Sequence, residues 1–220
     1  MNKIISIHVP KAGGTSTLTT LKRAYGDDHV LEDYSSDPGD PISPCNLDPE
    51  GWLAYRPINI PENIIVVHGH FKAQKYDLVK DAFRFTMLRH PLDNVISIYC
   101  YWRAIPPQPS ALHQYFCMQN MTVIEFAKLP LIRNLYGETY FGGWDMKRLD
   151  FIGRHETRSH DLQRLGGLLG IDIDTSVHLN VTPSDEIEVS REKILGDRKV
   201  CAQLMDILAA DIRFYEMYAI

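Results

Sequence analysis

Apolar residues fall along this chain in two alternating rhythms. Short, nearly continuous runs at residues 3–9, 64–68 and 83–88 have the length of strands buried on both faces, and 150–153 is a fourth, shorter candidate. Between them the spacing becomes helical. Leu18 and Leu21 share one face of a segment over 15–24. Leu92, Val95, Ile96 and Tyr99 follow Pro91 at i, i+3, i+4 and i+7, with the proline suited to a first helical position. Val200, Leu204, Leu208, Ile212 and Tyr215 form one stripe near the end, read as a single last helix. Thr122 with Glu125 predicts a capping box for a helix through Leu129, and Ser159 is the expected cap of a helix through Leu169 that Gly170 stops. Strands alternating with helices predict an α/β fold with a central parallel sheet flanked by helices. No repeat or linker divides the chain, so one domain over residues 1–220 is expected.

Two stretches break the rhythm. Residues 27–63 hold nine acidic residues, one basic residue (Arg56) and prolines at 38, 41, 44, 49, 57 and 61; they read as a long surface excursion with room for a short helix. Residues 104–120 are rich in proline and aromatics and suit a lid. Residues 179–183 read as extended.

Composition narrows the picture. Hydrophobic residues at 45% and charged residues at 23% are ordinary for a globular protein and exclude a disordered tail or a fibrous repeat. A chain of 220 residues buries about 70% of its unfolded surface and needs no metal or disulfide to fold. Cys45, Cys100, Cys117 and Cys201 are widely spaced with no C-x-x-C pair, and read as four reduced thiols. The first apolar run is too short for a signal-peptide core, and no stretch spans a membrane; the expectation is a cytoplasmic protein. The formal charge of −5, from 23 Lys+Arg against 28 Asp+Glu, argues against nucleic acid as a partner. Any anion must meet a local pocket.

Two segments supply candidates for that pocket. Ile7-His8-Val9-Pro10-Lys11-Ala12-Gly13-Gly14-Thr15-Ser16 joins a strand to a helix, which brings free backbone N–H groups and the positive helix end to one point. Gly13 and Gly14 permit close backbone approach, Thr15 and Ser16 add hydroxyls, and Lys11 adds a mobile charge. The order differs from G-x-x-x-x-G-K-[ST], so Walker-type magnesium binding is not implied. The second segment, Phe85-Thr86-Met87-Leu88-Arg89-His90-Pro91-Leu92-Asp93-Asn94-Val95-Ile96-Ser97-Ile98-Tyr99, is again strand, turn and helix. Arg89 stands at the strand's carboxyl end, where open α/β sheets bind ligands, and its guanidinium fork suits a phosphate. Ser97 lies eight residues on, off the apolar face.

Together, HVPKAGGTS and FTMLRHPLDNVISIY resemble the PAPS-dependent sulfotransferases, and more closely their carbohydrate branch, the heparan sulfate 2-O-sulfotransferase-like proteins and their soluble bacterial relatives. The resemblance implies an α/β fold related to the P-loop nucleotide kinases. It implies 3′-phosphoadenosine 5′-phosphosulfate (PAPS) as cosubstrate, with Lys11, Gly13, Gly14, Thr15 and Ser16 at the 5′-phosphosulfate and Arg89 with Ser97 at the 3′-phosphate. His90 stands where the family more often has an acidic residue. Val67-His68-Gly69-His70-Phe71 is similar to the family segment that carries the proposed catalytic base, which falls on His70. Phe151-Ile152-Gly153-Arg154-His155-Glu156, Leu179-Asn180-Val181 and Ala210-Asp211-Ile212-Arg213-Phe214-Tyr215 extend the likeness over most of the chain.

The implied chemistry is an in-line displacement, mostly positioning and charge stabilisation. His70 is the expected base and Lys11 the stabiliser of the leaving phosphate. His68, two residues earlier, is expected to face the opposite side, as a supporting partner or, in another register, the base. His8 reads as a hydrogen-bonded core residue. No metal is expected. The implied acceptor is a free hydroxyl on a glycan or glycolipid, with a small-molecule or peptide hydroxyl left open, and the net charge favours a neutral or lightly charged acceptor over a highly sulfated polymer. A nucleotide-kinase-like ATP-using enzyme and a non-catalytic nucleotide-binding relative are the alternatives. The sequence leaves the oligomeric state open.

Overall fold

The computed structural model describes residues 2–55, 58–173 and 185–219. Five strands form a wholly parallel sheet: β1 (Ile4–His8), β2 (Val30–Asp33), β3 (Val66–Gly69), β4 (Phe83–Leu88) and β5 (Phe151–Arg154), in the order β2-β3-β1-β4-β5. Strand β1 is central and sends apolar side chains to both faces. Ile5 and Ile7 feed one core with Val67 and Leu88, whereas Ile4 feeds the other with Val66, Phe85 and Met87.

Helices cover both faces. Leu21 of α1 (Gly14–Tyr25) joins the second core, as do Leu162 and Leu165 of a later helix, Arg158–Leu169. Between them in the chain lie α2 (Pro44–Leu47), α3 (Pro49–Ala54), α4 (Pro91–Ala104), α5 (Ala111–Gln119), α6 (Val123–Ala127) and α7 (Pro130–Arg133). The Arg158–Leu169 helix is α8, followed by α9 (Asp185–Gly196), α10 (Arg198–Ile207) and α11 (Ala209–Tyr218). Val95 and Ile96 of α4, Phe116 of α5, Phe126 of α6 and Leu204 of α10 fill the first core. Among the described residues no helix is long and apolar enough to cross a membrane.

This strand order positions the site. From β1 the chain crosses to β2 on one side; from β4 it crosses to β5 on the other. The reversal opens a crevice at the carboxyl ends of β1 and β4, where doubly wound sheets hold ligands. The two loops singled out in the sequence follow those two strands.

The α/β expectation holds, with local differences. The 27–63 excursion contains a sheet strand, β2, besides α2 and α3. Its sequence, Val30-Leu31-Glu32-Asp33, is short and half acidic, which an edge strand tolerates. The capping box at Thr122 and Glu125 is present. Helix α8 is preceded by Thr157 rather than capped by Ser159; the Thr157 hydroxyl instead bonds Asp161 at 2.8 Å. The terminal stripe divides at Leu208 into α10 and α11, and Leu204 and Leu208 both remain fully buried across the bend. Residues 179–183, Arg56 and Pro57 lie outside the described residues. All four cysteines are free thiols, with Cys45 and Cys100 buried.

Gly14, the first residue of α1, is fixed by packing. A Cβ there would meet His8 Nε2 at 1.8 Å. Gly14→Ala is therefore expected to destabilise the fold by roughly 1–3 kcal/mol, the range of overpacking. In equilibrium unfolding, adding His8→Ala should cost less than the sum of the two single variants.

Candidate functional site

The loop after β1 turns sharply. Lys11 and Gly13 both take left-handed conformations, at φ 59° and 95°; the glycine does so freely, while the lysine stores local strain of the kind found at ligand clamps. Gly13 occupies the cap position of α1 with no side-chain cap, so the helix presents N–H groups with no side-chain acceptor. Gly13, Gly14 and Thr15 line a cavity of about 1070 Å³, together with Pro10 and Lys11. Ser16 is buried in α1, and its hydroxyl has no hydrogen-bond partner.

The loop after β4 is tied to the first. Arg89 Nη1 donates to the Lys11 carbonyl at 3.3 Å, and Asn94 Nδ2, in α4, donates to the Pro10 carbonyl at 2.9 Å. The Tyr136 hydroxyl donates to the Arg89 carbonyl at 2.6 Å and accepts from its N–H at 3.3 Å. Arg89 and Ser97 line the same cavity as Lys11. Lys11 Nζ lies 4.4 Å from the centroid of the Tyr101 ring. Burial lowers the Lys11 ammonium, and Arg89 lowers it further; Arg89 is lowered by burial and then by Arg191. Confining cations in one buried cleft costs free energy that a multiply charged anion between them recovers.

The third strand end brings His70. Its Nδ1 lies 2.9 Å from Asp37 Oδ2, while Nε2 is buried with no hydrogen-bond partner. Asp37 Oδ1 accepts from the Gly39 N–H at 2.8 Å and the Tyr140 hydroxyl at 3.2 Å. Burial pushes the Asp37 carboxyl up, but the bonds from His70, Gly39 and Tyr140 outweigh it and hold it below its ordinary value. Four residues earlier the same loop is anchored in the protein interior. Lys75, fully buried, pairs with Asp33 at 2.6 Å and donates to the Ser35 and Ser36 hydroxyls at 3.2 and 2.8 Å. The Tyr76 hydroxyl donates to Asp33 at 2.7 Å.

His68 does not turn away from His70. Residues two apart in an extended chain return to one face, and the His8 ring meets both, with centroids 5.0 Å from His68 and 4.6 Å from His70. His68 is buried against Ser6, whose hydroxyl is 2.8 Å from its Nδ1, and it does not line the cavity. His8 lines the cavity and sits between the other two rings.

Sequence reasoning thus names Lys11, Gly13, Gly14, Thr15, Ser16, His70, Arg89 and Ser97; the fold gathers all of them on one cavity except Ser16, whose side chain is buried in α1. It misses Asp37, Tyr136, Tyr140 and Arg191. The two tyrosines project from one π-helical turn, Leu135–Tyr140, and both are fully buried. Arg191 of α9 lines the cavity and pairs with Asp93 at 2.8 Å. None of the four belongs to a local motif; each reaches the site through tertiary packing. Among the described residues no three His, Cys, Asp or Glu side chains are grouped to hold a metal ion.

Three histidines around the site are held uncharged. Burial lowers His68 to about 3 and His155 to about 4; it takes His8 well below its ordinary value, with His70 and His68 adding to the effect. Below pH about 6.5 the unfolded chain binds protons that the folded one refuses, so stability is complete above that pH and is lost as the pH falls toward 3. His68→Asn, which keeps an amide near Ser6, should flatten part of this acid slope in denaturant unfolding across pH 3–7. An unchanged slope would show that His68 titrates normally.

No protein-family model matches the sequence, and no curated protein matches it. Among solved structures the chain is similar to the mouse sulfotransferase SULT7A1 complexed with PAP, at 15% identity and a TM-score of 0.41, over 87% of this chain and 63% of that one. It is also similar to a sulfotransferase from Alicyclobacillus acidocaldarius, at 14% identity and a TM-score of 0.43, over 97% of this chain and 96% of that one. The chain therefore spans 63% of the length of the mouse protein it matches. Neither likeness, at such an overlap, says what this chain does.

Proposed function

We propose that this chain is a sulfotransferase, moving the sulfuryl group of PAPS to an acceptor hydroxyl. The observation that carries the reading is the convergence of three strand ends on one cavity: the uncapped α1 start with Lys11, the Arg89–Ser97 segment bonded to it, and His70 with its Asp37 partner. In this reading Lys11, Gly13, Gly14 and Thr15 hold the 5′-phosphosulfate, with Ser16 contributing its backbone N–H. Arg89 and Ser97 hold the 3′-phosphate. Lys11 offsets charge developing on the leaving oxygen, and His70 takes the acceptor proton. A cavity of about 1070 Å³ has room for a nucleotide and part of an acceptor.

The acceptor in this reading is a sugar hydroxyl of a glycan or glycolipid carrying little negative charge. Tyr34, Tyr101 and Trp102 are among the residues that line the cavity. The lining residues contributed by 34–42 and 98–113 include Asp37 and Asp40 but no lysine or arginine. A highly sulfated chain would meet acidic side chains there.

Transfer of labelled sulfate from PAPS to a panel of neutral glycolipids, neutral oligosaccharides, heavily sulfated glycans and phenols tests the assignment. Calorimetry with PAP alone and with ATP and Mg²⁺ accompanies it. Metal-independent PAP binding with transfer to a neutral sugar is the expected result. Tight ATP–Mg²⁺ binding without PAP binding would replace the reading with a kinase-like one.

A further inference from the structure

We infer that Asp37 is a positioning residue for the reaction: it fixes His70 in the Nδ1–H tautomer, so that the Nε2 lone pair faces the acceptor. The inference rests on the transfer chemistry proposed above and assigns a task within it to the acidic excursion.

The hydrogen bonds around Asp37 determine the tautomer. Oδ1 meets two groups that act here as donors, the Gly39 N–H and the Tyr140 hydroxyl. Oδ2 meets His70 Nδ1 at 2.9 Å. An ionised carboxylate only accepts, so Nδ1 must carry the proton. The other ring nitrogen, Nε2, is then left with a lone pair, and it has no hydrogen-bond partner and is shielded from bulk water. A hydroxyl donating to it would satisfy that atom. His8 packs against the ring at 4.6 Å and Tyr34 meets it edge-on at 4.9 Å, so the ring is confined as well as oriented. The loop itself is held by the buried Lys75, bonded to Asp33, Ser35 and Ser36 just upstream of Asp37. A base oriented by a third group, itself fixed by its neighbours, is the arrangement general-base catalysis requires.

The step balances. The acceptor O–H proton moves to His70 Nε2 as the acceptor oxygen bonds to sulfur. The bond from sulfur to the bridging oxygen breaks, and its electron pair leaves with the 5′-phosphate of PAP. The resulting imidazolium donates to the Asp37 carboxylate through Nδ1 and later releases the Nε2 proton to water.

Asp37→Asn is a sharp test because it is isosteric and the neighbours dictate how it sits. Gly39 and Tyr140 both donate toward Oδ1, so the amide oxygen takes that side and the NH₂ faces His70. Nδ1 then accepts, the proton moves to Nε2, and the base is disabled. In the full-length protein D37N is expected to lower kcat about 100-fold or more, the lower end of general-base effects. Affinity for PAP and the acceptor KM should stay within about twofold. Nitrogen-15 spectra at alkaline pH should show His70 protonated at Nδ1 in the wild type and at Nε2 in D37N, and Asp37→Glu should recover part of kcat. A D37N enzyme with near wild-type kcat would overturn the inference. So would a wild-type spectrum with the proton on Nε2, a reading that needs no variant to fold. Should the wild type transfer sulfate to no acceptor yet hold His70 as Nδ1–H, the sulfotransferase reading would fall while the tautomer assignment stood.

Discussion

His70→Ala is expected to reduce the turnover of sulfate transfer by about 10²–10⁴, the contribution of a positioned general base, with PAP affinity unchanged. The separation follows from the fold. His70 stands after β3, whereas the anion-binding groups stand after β1 and β4, so deleting the imidazole touches neither Lys11 nor Arg89. Asp37 keeps its bonds from Gly39 and Tyr140, and circular dichroism should report an intact fold. The control is His68→Asn. His68 is buried against Ser6 and off the cavity, so this variant should retain most of its turnover. A fully active His70→Ala enzyme would remove His70 as base, and an inactive His68→Asn beside it would pass the role to His68.

Arg89→Ala carries the second large expectation: a loss of about 2 kcal/mol or more in PAP binding, roughly 30-fold, read by calorimetry. Its backbone is clamped on both sides by the Tyr136 hydroxyl and its side chain is directed to the first loop, so little ordering remains to be done when a phosphate arrives. Burial makes each charge-assisted bond stronger than at a surface. Arg89→Lys should recover only part of the loss, because an ammonium lacks the planar fork. Unchanged affinity in Arg89→Ala would exclude Arg89 from the nucleotide site. A loss of turnover with unchanged affinity would place it with the reacting atoms.

Much of the frame was legible in the sequence because its cues are local. The buried strands β1, β3 and β4 are short apolar runs, and the Thr122 capping box is a four-residue pattern. The two anion loops announce themselves by a strand that ends in glycines or in Arg-x-Pro. What escaped depends on contacts between distant segments. Strand β2 is too acidic to read as a strand and is one only because β3 offers an edge. Asp37 resembled any carboxylate of a surface loop until folding set it against His70, 33 residues away. Tyr136 and Tyr140 ride a π-helical turn whose spacing follows no helical or strand period. The terminal stripe predicted one helix because apolar spacing persists through a bend, and His68 was misplaced because strand alternation was applied with the wrong parity.

The buried Lys75–Asp33 pair has a consequence for how such a site changes over time. It fastens the chain just before Asp37, and beyond Asp37 the segment closes largely on itself, as where Asn46 bonds the Pro38 and Asp40 carbonyls. The part through Gly39, which holds the base in register, is thereby distinguished from the part beyond it, where Asp40 and Ile42 line the cavity. Residues beyond Gly39, among them Asp40 and Ile42 on the cavity, are therefore expected to change with acceptor choice more freely than the stretch 33–39 that holds the base.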